Sequence, residues 1–164
     1  MLVASFNCNS IRARMPVLKR WLESVSPDVL CLQETKVVDS DFPADELLES
    51  GYGSIFRGEK SYNGVALLSK RKPDEAVFGF DGAGNDEGTR LLAARFGKIN
   101  IVNTYIPQGV APDSDKFQYK LRWFGRLREF FDSRYKRSDT VIWTGDFNVA
   151  PLPVDVHNPK RLLG

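Results

Sequence analysis

The 164-residue chain contains one histidine, two methionines and two cysteines. So little imidazole and sulfur excludes a disulfide-stapled secreted scaffold and a zinc ribbon or finger, both of which need Cys or His in closely spaced pairs. Cys8 and Cys31 sit instead in strand-like apolar runs, where small buried thiols are expected. The opening Met1-Leu2-Val3-Ala4-Ser5-Phe6 has no basic leader ahead of a long apolar segment, so no secretion signal or membrane anchor is expected there and the expected compartment is the cytoplasm. No self-similar period marks a solenoid or a propeller. A strong excess of one charge is also lacking: the net charge of +2 is too small on its own to argue for nucleic acid.

What is present is enough apolar material for a core, 42% hydrophobic and 12% aromatic, at a length suited to one domain. The only long polar stretch is a loop expected over residues 80–88. Charge is uneven, with Lys116, Lys120, Arg122, Arg126, Arg128, Arg134, Lys136 and Arg137 set against Asp115, Glu129 and Asp132. That surplus reads either as a phosphate-facing stripe or as the solvated back of an amphipathic helix.

Residues 2–7 read as a strand, and Ile11, Met15, Leu18, Leu22 and Val25 then recur at helical spacing. Pro16 is tolerated only in a first turn, which places the helix start near Arg14 or makes the segment before it irregular. Residues 29–32 form a short apolar run, a buried strand that delivers Gln33 and Glu34 to its end. A short helix over 44–49 stops at Gly51, and strands over 52–57, 64–69, 75–80, 89–96 and 99–106 follow as an expected antiparallel meander. Phe117, Leu121, Phe124, Leu127 and Phe131 mark the apolar face of a last helix, which leads to a strand over 140–144. The order predicts an α/β fold, a mixed β-sheet flanked by helices.

Three polar clusters each follow an apolar strand: Asn7, Glu34, and Asp146-Phe147-Asn148. Ligand sites in α/β sheets lie beyond the carboxyl ends of strands, so neighbouring ends would put two carboxylates and two carboxamides in one pocket. Such hard oxygen donors suit Mg²⁺ and are poor for zinc. Glu34 with Asn7 would hold the ion, Asp146 would orient or deprotonate an attacking water, and Asn148 would donate to a phosphate. Singly, Asp and Asn after a strand are ordinary turn formers and Glu34 an ordinary surface residue.

The strings Leu32-Gln33-Glu34-Thr35-Lys36 and Gly145-Asp146-Phe147-Asn148 stand here in the order found in the endonuclease/exonuclease/phosphatase superfamily, whose two hallmark motifs they resemble. Phe6-Asn7-Cys8-Asn9, Asn63-Gly64-Val65-Ala66-Leu67-Leu68-Ser69 and Asn103-Thr104-Tyr105-Ile106-Pro107-Gln108-Gly109 are similar to segments of its exonuclease III branch, so the resemblance runs from Ala4 to Val149. It implies a metal-dependent phosphodiesterase acting on DNA in base-excision repair, as an abasic-site endonuclease and 3′-to-5′ exonuclease. Mg²⁺ is the implied cofactor, with Mn²⁺ a second choice, and the implied partner is duplex DNA with abasic sites or 3′ ends. Asn7, Glu34, Tyr105, Asp146 and Asn148 match positions that serve the metal, the phosphate and the attacking water. Gln108, Lys116 and Arg90 look like DNA contacts, although Gln108 reads equally as a loop residue, Lys116 as a helix-start residue and Arg90 as a partner for Glu87. Lipid and inositol-phosphate phosphoesterases share the superfamily and form the alternative substrate class.

The family fold is a four-layer α/β sandwich of the deoxyribonuclease I type, and the chain resembles its amino-terminal half over residues 1–150, with 151–164 a tail or the start of the second half. The family's carboxy-terminal Ser-Asp-His string is not found in the sequence, and the lone His157 stands in a proline-rich stretch that matches no family motif. This implies an inert, truncated chain with residual DNA or metal binding as a further alternative. A lone first sheet would also leave its inner face apolar and uncovered, from which a homodimer packed through that face is expected.

Overall fold

The computed structural model describes residues 1–80 and 88–158. Strand β1 (Val3–Asn7) leads through helix α1 (Ile11–Val25) to β2 (Val29–Gln33). A 3-10 turn at Asp39–Asp41 and the short helix α2 (Ala44–Glu49) precede β3 (Gly53–Arg57) and β4 (Val65–Ser69). Strands β5 (Glu75–Phe78), β6 (Leu91–Phe96) and β7 (Ile99–Tyr105) follow, then helix α3 (Asp115–Arg134), β8 (Thr140–Asp146) and a 3-10 turn at Pro153–Asp155. The polar loop expected over 80–88 lies, apart from its ends, outside the described residues.

The strands do not form one sheet. β1-β2-β4-β3 make one and β5-β6-β7-β8 another, which corrects the expected meander: β3 and β4 pair antiparallel, but the chain changes sheet between β4 and β5. Each sheet carries one parallel pair, β1 with β2 and β7 with β8, joined by the crossover helix that parallel neighbours require.

Alternation along the strands sorts the side chains into three layers. Leu30, Leu32, Ala66 and Leu68 face out of the first sheet onto Ile11, Met15, Leu18 and Leu22 of α1. Leu91, Ala93 and Val102 face out of the second onto Trp123, Leu127 and Phe130 of α3. Between the sheets, Val29, Cys31, Val65 and Leu67 meet Leu92, Ala94, Phe96 and Ile101. The inner face expected to stand bare is thus covered by the chain's own second sheet, and the reason given for a homodimer through that face falls away. What stays open among the described residues is lateral. β1 and β8 are rim strands that lie against one another, with Phe6 and Trp143 exposed on them.

Two helices differ from expectation. α1 starts at Ile11, with Pro16 inside it, because its first turn is tied to the segment after β2: the Ser10 and Ile11 amides donate to the Glu34 and Thr35 carbonyls at 2.7 and 3.1 Å. Those bonds, with Ile11 and Met15 buried, hold the turn against the hydrogen bond that proline removes. On α3 the buried stripe is Lys120, Trp123, Leu127 and Phe130, with Phe124 and Phe131 at its flanks and Leu121 exposed, so the face is turned away from the one expected. Trp123, the largest side chain on the helix, takes the centre of the contact.

Candidate active site

The parallel pairs end on the same side of the sandwich. In the ladders Asn7 stands beside Gln33, and Tyr105 beside Asp146. All four belong to the inward-facing set of their strands, so the mouth of the space between the sheets is polar where its interior is apolar.

Asn7 joins the two sheets at this mouth. Its Nδ2 donates to Glu34 Oε1 at 2.7 Å and to Asp146 Oδ2 at 2.8 Å. The Asn9 amide donates to Asn7 Oδ1, and the Asn148 amide donates to the second oxygen of Asp146, at 3.1 and 3.0 Å. The Tyr105 hydroxyl lies beside the Glu34 carboxylate and interacts with it. Asn148 Nδ2 donates to the Ile106 carbonyl at 2.8 Å, so one amide proton of the residue expected to meet a phosphate is turned to the backbone. Asn7, Glu34, Tyr105, Asp146 and Asn148 therefore stand together.

The three residues expected to contact DNA are placed differently from one another. Arg90 is at the site, its guanidinium 4.8 Å from the centre of the Tyr105 ring and donating to the Tyr105 carbonyl at 3.3 Å; its other expected partner, Glu87, lies outside the described residues. Gln108 is exposed in the segment after β7, and Lys116 is exposed in the first turn of α3. Neither has a direct contact with the cluster among the hydrogen bonds and ion pairs described.

Lys36, Lys120 and the Asn103–Gln33 pair were missed in reading for chemistry. Lys36 Nζ lies 2.8 Å from Glu34 Oε2 and also donates to Asn9 Oδ1. Lys120 is buried on the inner stripe of α3 and donates to the Asn148 carbonyl at 2.5 Å. A lysine at helical spacing from Trp123 and Leu127 was the available signal, since a cation on an apolar face must have an acceptor.

Non-glycine residues with positive φ gather here: Asn9, Ser10, Glu34, Lys36 and Asn148, at 41, 89, 54, 56 and 48°. Such backbone persists where surrounding contacts impose it, and it concentrates at sites of function. Gly145, at φ +137°, lets β8 pass so close to β7 that a Cβ would lie 1.9 Å from the Thr104 carbonyl oxygen.

Burial pushes the Glu34 carboxyl upward, but hydrogen bonds from Asn7, Lys36 and Tyr105 and the Lys36 charge outweigh it and hold it below its usual range. Tyr105 moves the opposite way, to about 12, through burial, the Glu34 charge and their hydrogen bond. It is a neutral donor at physiological pH. Burial lowers the Lys120 ammonium, against the opposing pull of Asp146.

Burial also raises Cys8 and Cys31 to about 12 from an ordinary 9.0. Below pH 9 both folded and unfolded chains hold these protons. As pH climbs from 9 toward 12, the unfolded chain releases protons that the folded chain keeps, so stability falls. The urea midpoint should therefore drop steadily from pH 9 to 11, and Cys31→Ala should flatten the slope; a midpoint level over that interval would contradict the buried-thiol assignment.

The donor set at the mouth suits a hard divalent cation. Glu34 and Asp146 supply carboxylate oxygens of the kind Mg²⁺ takes while keeping most of its waters. The Asn7 oxygen, which here accepts from the Asn9 amide, would join them only when the side-chain amide turns over, since its nitrogen is the atom that faces them. Among the described residues no three or more His, Cys, Asp or Glu side chains gather to hold a metal ion, so a cation here would rest on the two carboxylates, amide oxygen and water. A cavity of about 540 Å³ lies at the other end of the sandwich, beside the start of β8, but its Arg95 and Arg134 are paired with Glu75.

A sequence profile of the Endonuclease/Exonuclease/phosphatase family matches residues 4–164. Exodeoxyribonuclease III from Haemophilus influenzae is 34% identical over 99% of this chain and 64% of its own length. A DNA-(apurinic or apyrimidinic site) endonuclease from Dictyostelium discoideum is 32% identical over 85% of this chain and 39% of its own. The fold matches an AP endonuclease from Archaeoglobus fulgidus with a TM-score of 0.92 and 44% identity, over 99% of this chain and 63% of that one. It matches a 3′ phosphatase from Neisseria, solved with product DNA hairpin, at 0.90 and 35%, over 98% and 63%. The chain thus spans less than two thirds of the length of each of these proteins.

Proposed function

Because the chain belongs to the endonuclease/exonuclease/phosphatase family, we propose that its strand-end cluster is the metal- and phosphate-binding part of a DNA phosphodiesterase centre, one that cuts at abasic sites and trims 3′ ends. The observation that carries this reading is the Asn7 side chain held between Glu34 and Asp146, which gathers oxygen donors from both sheets at one mouth.

Glu34 and Asn7 would hold a divalent cation, Mg²⁺ or Mn²⁺, which when bound neutralises a phosphate oxygen and the charge developing on the leaving oxygen. Asp146, fixed through both oxygens by Asn7 and the Asn148 amide, orients an attacking water and takes its proton. Tyr105 keeps its own proton and, on turning from Glu34, would donate a hydrogen bond to the phosphate, with the second amide proton of Asn148 as a further donor. Arg90, beside Tyr105, supplies a positive charge for the backbone of a duplex, and Gln108 and Lys116 extend that contact outward. No helix among the described residues is long and apolar enough to cross a membrane.

The test is a duplex oligonucleotide with one abasic site, incubated with Mg²⁺ and a chain of its relatives' length, beside an inositol-phosphate substrate. Metal-dependent scission of the DNA strand is expected, and none in EDTA. Hydrolysis of the inositol phosphate alone would overturn the DNA assignment.

A second reading concerns the 164 residues by themselves: they bind DNA or metal without cutting. It is favoured by the single histidine, His157, which is exposed beyond the last 3-10 turn, well after Asp146 in the chain. The same oligonucleotide retarded on a gel but left uncut by this chain is the expected result.

A further inference from the structure

We propose that Gln33 and Asn103 are positioning residues, a pair of buried side-chain amides that fixes one sheet against the other just beneath the site. The inference rests on the reading of the site given above. Asn103 is 0% exposed and Gln33 1%, beside a layer of Val, Leu, Ile, Ala and Phe side chains with Cys31 and Tyr105 among them. From β7, Asn103 Nδ2 donates across the sandwich to the Leu32 carbonyl of β2 and the Ala66 carbonyl of β4, each at 3.0 Å. Its Oδ1 accepts from Gln33 Nε2 at 2.7 Å, and Gln33 reaches on to Ser5 Oγ of β1 at 3.1 Å and the Cys31 carbonyl at 3.3 Å. One side chain of the second sheet is thereby connected to three strands of the first.

Apolar contact between two sheets is non-directional and tolerates small slides. An amide enclosed there does not, because a shift of about 1 Å breaks its bonds and strands polar atoms away from water. The register makes the lock relevant to the site. Gln33 directly precedes Glu34 and pairs with Asn7, while Asn103 lies two residues before Tyr105 on the same face and pairs with Thr144, two before Asp146. Asn103 thus stands one step inside the Asn7–Asp146 bond, which also crosses between the sheets, and Gln33 stands level with Asn7.

The experiment compares Asn103→Leu, Gln33→Met and the double variant with the parent chain. The melting temperature, the exchange rate of the Asn7 side-chain amide protons by NMR without metal, and Mn²⁺ affinity by calorimetry are measured on each. Each single change leaves polar atoms orphaned and should lower the melting temperature. The double change removes the Asn103–Gln33 bond at both ends and should lower it by less than the two single losses added together, the Leu32, Ala66 and Cys31 carbonyls and Ser5 Oγ still losing their side-chain donors. Positioning requires that the double variant, still folded, exchange the Asn7 protons about tenfold faster and bind Mn²⁺ about tenfold more weakly than the parent. Parental values of both site readouts in a folded double variant would reduce the pair to packing and overturn the proposal. Should the double variant not fold, Ser5→Ala removes only the outermost bond of the network, and unchanged Asn7 exchange in it would overturn the proposal equally. A parent chain that fails to bind Mn²⁺ refutes the metal reading of the site, while the metal-free exchange rates still decide the role of the pair.

Discussion

Glu34→Gln, made in a chain of its relatives' length, is expected to lose about 10³-fold in the rate of abasic-strand cleavage, the upper range for removing one preorganised electrostatic contact. The substitution keeps shape and length, so α1 and β2, tied through the Glu34 backbone carbonyl, retain their contacts. What goes is the negative charge. In the parent it is held ionised by the Asn7 amide, the Lys36 ammonium and the Tyr105 hydroxyl. A neutral amide offers a divalent ion a weaker ligand and sets an N–H₂ group among those same donors, where Asn7 and Lys36 have nothing to give it. Mn²⁺ affinity should fall with the rate, and the melting temperature should move little. Parental cleavage by this variant would remove Glu34 from the mechanism.

Gly145→Ala is expected to cost on the order of 3 kcal/mol or more, which for a chain of this size is a fall of roughly 6–12 °C in melting temperature. The methyl would meet backbone, not a side chain able to rotate away: the Thr104 oxygen at 1.9 Å and its carbonyl carbon and nitrogen at 2.8 Å. A φ of +137° adds strain for any residue with a Cβ. Relief comes only by parting β8 from β7 at the Thr104–Gly145 pair, and that carries Asp146 off its place opposite Tyr105. Stability and metal binding should therefore fail together. An alanine variant that melts and binds Mn²⁺ like the parent would show that β7 and β8 do not approach this closely.

Much of this was legible in the sequence, and the omissions have physical reasons. Strand and helix positions follow from periodicity, and the convergence of Asn7, Glu34 and Asp146 follows from their shared placement at strand ends. The division into two sheets was not legible. Arg71-Lys72-Pro73-Asp74 reads as a turn between β4 and β5 like the turns on either side of it, and a turn signal carries no information about which sheet receives the next strand. The start of α1 was misplaced because Pro16 is a local signal, whereas the bonds that overrule it come from Glu34 and Thr35, distant in sequence. The amides of Gln33 and Asn103 looked like ordinary strand-end residues, since only the stacking of β7 on β2 and β4 turns them toward each other.

Among the described residues the sandwich is closed front and back by helices and filled between its sheets, while at one flank β1 and β8 each pair with a strand on one side alone and lie against one another. Growth at that flank would widen both sheets without reopening the core. Since Asn7 and Asp146 are the last residues of those two strands, any segment laid along them would end beside the same mouth, within reach of whatever is held there.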